Sequence, residues 1–254
     1  MPIAPDGLTV VPLSGIPSVR PGDDLAQLIA DAIRSGKLKL AESDILVVAQ
    51  KVVSKAEGAT VRLGDVIPGD EALAVAETVQ KDPRLVEVIL SESRRIVRSV
   101  PGILITETRH GLICANAGVD ASNSLAEGIV VLLPRDPDSS AARIRSGIDE
   151  RTGTKIGIIV SDTFNRPWRN GSINVAIGTA GFDPLDDQRG ASDDAGHTLR
   201  VTIVSVADEV ASAAQLVMGE AGGVPAALVR GLKFTRSDSG SGSLLRDPGR
   251  DLFR

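Results

Sequence analysis

Polar residues gather at the ends of apolar runs in this chain, and their types suit them to hold cations and anions side by side. Ser161-Asp162-Thr163 follows the run Ile156 to Val160. A carboxylate beside a hydroxyl is an oxygen-donor pair suited to a hard cation such as Mg²⁺ or Mn²⁺. Asn116-Ala117-Gly118-Val119-Asp120-Ala121-Ser122-Asn123 follows Leu112 to Ala115 and brings a second carboxylate, Asp120. Met218-Gly219-Glu220-Ala221-Gly222-Gly223-Val224-Pro225 adds a third, Glu220, among glycines that let backbone N–H groups approach a phosphate. Arg166 and Arg169, within Arg166-Pro167-Trp168-Arg169-Asn170-Gly171, could grip carboxylates or phosphates through two nitrogens each. Lys51 and Lys55 supply further cations after Ile45 to Ala49. Phosphoryl transfer from a nucleotide needs this combination: cations that neutralise phosphates, and fixed positive groups that stabilise developing charge.

Each segment also has a plainer account. Asn116 to Asn123 could be a turn whose Asx side chains bond their own backbone. Ser161 to Thr163 could cap a helix, the arginines could sit on a solvated loop, and the glycines after Met218 could end a helix. Lys51 and Lys55 could simply be exposed. There is no Walker A pattern, no dinucleotide fingerprint and no paired-His zinc helix. Only His110 and His197 are available for histidine chemistry, and Cys114, inside an apolar run, is expected to be a buried small hydrophobe.

These groups need a scaffold of strands and helices. Leu8 to Leu13 predicts a short strand. Asp23 or Asp24 should cap a helix carrying Leu25, Leu28, Ile29, Ala32 and Ile33, stopped by Gly36. Ile45 to Ala49 predicts a buried strand, which the alternation over Lys51 to Lys55 extends to Glu57-Gly58. Residues 69–98 are expected to be helical with a break at Asp82-Pro83, and Ile103 to Thr106 and Leu112 to Ala115 to form a hairpin. Strands follow at Ile129 to Leu133, Ile156 to Val160, Val201 to Val206 and Ala226 to Val229. Helices are expected from Asp138-Ser139 to Asp149 and over Asp208 to Met218, and Ser237 to Ser243 as a flexible stretch. The pattern predicts an α/β (α+β) architecture with a mixed sheet over residues 1–254, with functional groups at strand ends. Two subdomains, divided near residue 100 or 155, are the alternative.

Composition narrows the function. The chain has 254 residues, 42% hydrophobic and 24% charged, enough to build a core. Its formal charge of −5 and aromatic content of 2%, with no Tyr and one Trp, argue against nucleic-acid binding. One cysteine excludes an intrachain disulfide and a cysteine-rich zinc site. Met1 to Val11 lacks a basic segment followed by an apolar one, and no apolar run reaches the roughly 18 residues of a membrane span, so a cytoplasmic protein is expected.

Ordered blocks along almost the whole chain resemble the coenzyme F420-0:L-glutamate ligases, or γ-glutamyl ligases. They include Gly15-Ile16-Pro17, Arg20-Pro21-Gly22-Asp23-Asp24-Leu25, Ile45 to Gly58, Asn116 to Asn123, Leu133 to Asp138, Ser161 to Gly171, Val206 to Glu209, Met218 to Pro225 and Val229-Arg230-Gly231. The resemblance implies a fold of the family's own type in an intertwined homodimer, without the C-terminal nitroreductase-like domain of some relatives. It implies that GTP phosphorylates the carboxylate of F420-0, that L-glutamate displaces phosphate, and that further glutamates add through γ-carboxylates. Two divalent cations, Mg²⁺ or Mn²⁺, are implied, with K⁺ often present: Asp120 and Asp162 would hold one, Thr163 and Glu220 the other. GTP would meet Ser14, Gly15, Ile16, Pro17, Ala49, Gln50, Ser54 or Lys55, Asn123, and the loop Met218, Gly219, Glu220, Ala221, Gly222, Gly223 and Val224. Arg166 and Arg169, with Asp162, are the expected catalytic set, and His110 or a metal-polarised carboxylate is the candidate base. Gln188 and Ala195 stand where the family commonly has aromatics, which leaves open an amino-acid ligase with another carboxylated acceptor. A nucleotide- and metal-binding module without turnover is the rival from another class, and a general phosphatase is a further reading.

Overall fold

The computed structural model describes residues 7–121, 128–220 and 222–251. The chain begins with β1 (Thr9–Pro12), α1 (Leu25–Ser35), β2 (Ile45–Ala49) and α2 (Gln50–Ala56). Asp24 caps α1 by accepting the Gln27 N–H at 2.9 Å, and Leu25, Ile29 and Ile33 are buried along one face. The expected extension of β2 through Lys51 to Lys55 is instead the helix α2. Its buried residues, Gln50, Val53 and Ser54, follow helical spacing, and the apparent alternation is a by-product of that spacing.

Next come β3 (Thr60–Arg62), α3 (Asp70–Val79), α4 (Pro83–Ser91), β4 (Ser93–Val100), β5 (Ile103–Thr108), β6 (Ile113–Ala115) and β7 (Ile129–Val131). The helical expectation for residues 69–98 holds only as far as Ser91. β4 pairs antiparallel with β5, and two register shifts break its alternation, so its period of two is hidden in the sequence. The remainder is α5 (Pro137–Thr152), β8 (Gly157–Asn165), β9 (Ser172–Ala180), β10 (Leu185–Asp187), β11 (Ile203–Ser205), α6 (Val206–Met218) and β12 (Ala226–Arg230). Asp136, rather than Asp138 or Ser139, caps α5, accepting the Ser139 N–H at 3.0 Å.

The main sheet is mixed, as expected, with order β1-β12-β2-β8-β9. Only β2 and β8 run parallel; the other neighbours are antiparallel. Alternating residues of β2 face opposite layers. Leu46 and Val48 join Ile29 of α1 and Ile144 and Ile148 of α5, while Ile45 and Val47 join Val210, Ala211 and Ala214 of α6. Each fully buried side chain of this size contributes roughly 1.5–3 kcal/mol of transfer free energy. A separate core forms where α3 and α4 cover Leu104 of β5 and Val130 of β7.

Two further features frame the site. β8 runs past the apolar stretch to Asn165 and pairs with β9 throughout, so Ser161, Asp162 and Thr163 lie within a strand. At β9 the register jumps, with Val160 opposite Gly178 but Ser161 opposite Ala176, which leaves Ile177 as a bulge. The Ser241 hydroxyl donates to the Ile177 carbonyl at 2.9 Å, and Asp138 Oδ1 accepts the N–H groups of Thr179 (2.8 Å) and Ser241 (2.9 Å). The stretch Ser237 to Ser243, expected to be flexible, is therefore pinned across this bulge.

Candidate functional site

β2, β8 and the α6–β12 connection converge on a cleft of ≈ 740 Å³. β2 passes into α2 without a loop, because Ala49 stays extended (φ −62°, ψ 133°) and Gln50 starts the first turn. This places Lys51 and Lys55, one turn apart, along the cleft. Ser54, expected to meet nucleotide, lies fully buried behind them and donates to Gln50 Oε1 at 2.9 Å, orienting that amide.

Asp120 reaches the cleft through an unusual turn. Asn116, Ala117 and Gly118 all have positive φ, at 54°, 54° and 71°. Two non-glycine residues in the left-handed region are costly, and such strain collects where side chains must be aimed. Asn116 does not bond its own backbone as an Asx turn would; its Oδ1 accepts from Lys81 Nζ at 3.0 Å. Gly118 is needed for a second reason, since a Cβ there would lie 2.7 Å from Leu133. Asp120 then bridges to Val131 and pairs with Lys51.

Asp162 stands beside that pair. Burial pushes its carboxyl up to about 6 and the Asp120 charge adds to this, while the Thr163 N–H, Lys51 and the Gln50 side chain oppose it. Burial, then Lys51, lowers the Lys55 ammonium, and Asp120 partly offsets this. Cys114 is buried as expected, its thiol pushed up to about 12 by burial and then by Asp162.

The second acidic corner joins β8, β9 and the α6–β12 connection. Thr163 Oγ1 lies 2.8 Å from Asn174 Oδ1 and 3.3 Å from Glu220 Oε1, and Gln215 Nε2 donates to Glu220 Oε1 at 2.7 Å. A hydroxyl has one proton and can serve only one of these oxygens at a time. The Ser161 hydroxyl, buried next to Asp162, has no hydrogen-bond partner among the described residues. Oxygen donors short of protons are what hard divalent cations take. Among the described residues no three His, Cys, Asp or Glu side chains lie close enough together to hold one ion, so any such site along this cleft is built on at most two carboxylates with hydroxyls and amides.

The cleft therefore brings together Asp120, Asp162, Thr163 and Glu220 with Ile16, Pro17, Ala49, Gln50, Lys55, Met218, Gly219, Gly223 and Val224. Ser14, Gly15 and Gly222 are not among its lining residues, and Asn123 and Ala221 lie outside the described residues. Nor do Arg166 and Arg169 line it; they occupy the exposed β8–β9 turn, where Arg166 Nη2 donates to the Asn170 carbonyl at 3.0 Å. His110 is also elsewhere, its Nε2 3.1 Å from the Arg135 carbonyl. Asn174 and Gln215 escaped sequence reasoning: β9 carried no strand signal strong enough to place Asn174 opposite Thr163, and Gln215 looks like any polar position on a helix.

A mixed-sheet protein whose cleft gathers carboxylates, hydroxyls, lysines and glycines has the groups to bind charged small molecules. Residues 15–231 match the family described as F420-0:Gamma-glutamyl ligase. The chain is 47% identical over 251 residues to the coenzyme F420:L-glutamate ligase of Methanothermobacter thermautotrophicus, covering 98% of this chain and 99% of that protein. It is 46% identical over 256 residues to that of Methanopyrus kandleri, with 98% and 99% covered. The Methanocaldococcus jannaschii protein of the same description is 40% identical over 232 residues, with 91% and 90% covered. The chain belongs to the F420-0:gamma-glutamyl ligase family.

Proposed function

We propose that this protein joins L-glutamate to coenzyme F420-0 at the expense of GTP. The observation that carries the proposal is the convergence of Asp120, Asp162, Thr163 and Glu220 on one lysine-walled cleft, in a chain of this family. The acceptor carboxylate attacks the γ-phosphorus of GTP, the bond to the β-phosphate oxygen breaks, and GDP leaves. The amine of glutamate, having lost a proton, attacks the acyl carbon, the carbon–oxygen bond to phosphate breaks, and inorganic phosphate departs. An amide remains, and further glutamates add by the same steps at γ-carboxylates.

The residues divide this work. Asp120 and Asp162 would hold one divalent cation, Mg²⁺ or Mn²⁺, and Thr163 with Glu220 the second. When bound, such ions neutralise phosphate charge and polarise the transferring group. Lys55 faces the same cleft and is suited to pair with a phosphate, while Gln50, held by Ser54, presents a fixed amide. Gly223 and Val224, which line the cleft before β12, would supply backbone N–H groups, while Gly219 (φ 61°) ends α6 with its own N–H bonded to the Gln215 carbonyl at 2.9 Å. A homodimer and a contribution from K⁺ are part of the same reading.

The test is an end-point assay by mass spectrometry with GTP, Mn²⁺ plus Mg²⁺, L-glutamate and F420-0. Product heavier by glutamyl units, with matching GDP release, is expected. An unchanged acceptor under conditions where GTP binds would overturn the assignment of acceptor. One observation favours keeping a second acceptor in that panel. Gln188, where the family commonly has an aromatic, spends its amide on Asp186 Oδ2 at 2.8 Å, so no aromatic face is offered at that position.

A further inference from the structure

Lys51 holds a peculiar position. It is on the cleft-facing side of α2, yet its ammonium is committed to Asp120. Asp162 lies close enough for both partners to act on it, Asp120 as a like charge and Lys51 as an opposite one. Two carboxylates and one ammonium thus share one end of the cleft. The pair is neither core nor open surface, with side chains 28% and 24% exposed for Lys51 and Asp120. Ion pairs at this depth are held by charge balance more than by packing, and they exchange when a better counter-ion arrives.

We propose that Lys51 is the resident counter-ion of the cation site, and that an arriving divalent cation displaces its ammonium from Asp120 into the cleft, toward a nucleotide phosphate. The proposal rests on the cation assignment made above. Without a cation, two neighbouring carboxylates repel, and Lys51 supplies the balancing charge. A divalent cation bound by the same oxygens carries twice that charge and repels the ammonium. Lys55, one turn further along, already lies in the field of Lys51. The displaced ammonium therefore adds to a local surplus of positive charge that an anionic phosphate relieves. Cation and nucleotide then bind with positive coupling, and part of that coupling passes through Lys51.

Mn²⁺ titration of the nucleotide-free full-length chain, followed by the electron paramagnetic resonance of free Mn²⁺, tests this. Lys51→Met removes the competing charge and is expected to bind Mn²⁺ about tenfold more tightly than wild type. Lys51→Gln should behave similarly, and Lys51→Arg, which keeps the charge, should stay near wild type. GDP titrations with and without Mn²⁺ should show a smaller enhancement by Mn²⁺ in Lys51→Met than in wild type. Folding of each variant is checked by its thermal transition, and the two neutral variants guard against a defect of either one. Mn²⁺ affinity in the neutral variants equal to or weaker than wild type would overturn the role of Lys51 while leaving the cation site standing. A wild-type chain that binds no Mn²⁺ would overturn the cation assignment, and the role of Lys51 with it.

Discussion

Burial and the adjacent Asp120 charge push Asp162 up to about 6, from an ordinary 3.8. Between those values the folded chain keeps a proton that the unfolded chain has released. The metal-free protein should therefore lose stability as pH rises through this window and level off above about 6. A divalent cation needs the ionised carboxylate, so its affinity should move the opposite way. Mn²⁺ binding at pH 5 is expected to be about tenfold weaker than at pH 7. Equal affinities at the two pH values would show that Asp162 does not compete with protons for the ion. In Asp162→Asn, steady-state ligase activity should fall on the order of 10²–10³-fold with the thermal transition retained. Wild-type turnover in that variant would remove Asp162 from the site. Asp120, Asp162, Thr163 and Glu220 were all legible as oxygen donors beside apolar runs. Asn174 was not, because its meaning comes from the strand opposite.

At the level of elements, the turn before Asp120 and the bulge in β9 aim the cleft residues. Gly118→Ala forces a Cβ into Leu133 at a positive φ, and should cost about 1–3 kcal/mol by urea denaturation, with weaker Mn²⁺ binding. Asp138→Ala leaves the Thr179 and Ser241 N–H groups without their acceptor, for roughly 2–4 kcal/mol. Hydrogen exchange should accelerate at Thr179 and Ser241 in that variant; unchanged exchange at both would mean that the tail does not hold the bulge. The elements that sequence reasoning misplaced share a cause. Apolar runs mark where full burial stops, and β8 continues beyond that point through the partly buried Asp162 to the exposed Asn165. The two shifts in β4 erased its alternation, and α2 is so short that helical and alternating spacings coincide over Lys51 to Lys55. The long helices α1 and α6 and the apolar strands β2 and β12 were legible because each buries a continuous stripe or both faces.

Across the whole molecule, an inner strand of the main sheet comes last in the chain. β12 lies between β1 and β2, and its end is locked to the start of β2 by Arg230, whose Nε and Nη2 donate to the fully buried Asp44 at 3.1 and 2.9 Å. Asp44→Ala should cost about 3–5 kcal/mol, since it strands a partly buried guanidinium; a loss under 1 kcal/mol in chemical denaturation would show that the pair is not needed to seat β12. The mixed sheet was evident from the sequence, but not its order, because nothing local says that Thr9 will lie opposite Arg230. That order has a consequence for synthesis. While the nascent chain is still emerging from the ribosome, β1 and β2 exist without the strand that must separate them. The slot closes only after Arg230 has cleared the exit tunnel, so until then β2 exposes an unpaired, wholly apolar edge that a chaperone must shield or a neighbouring nascent chain can capture.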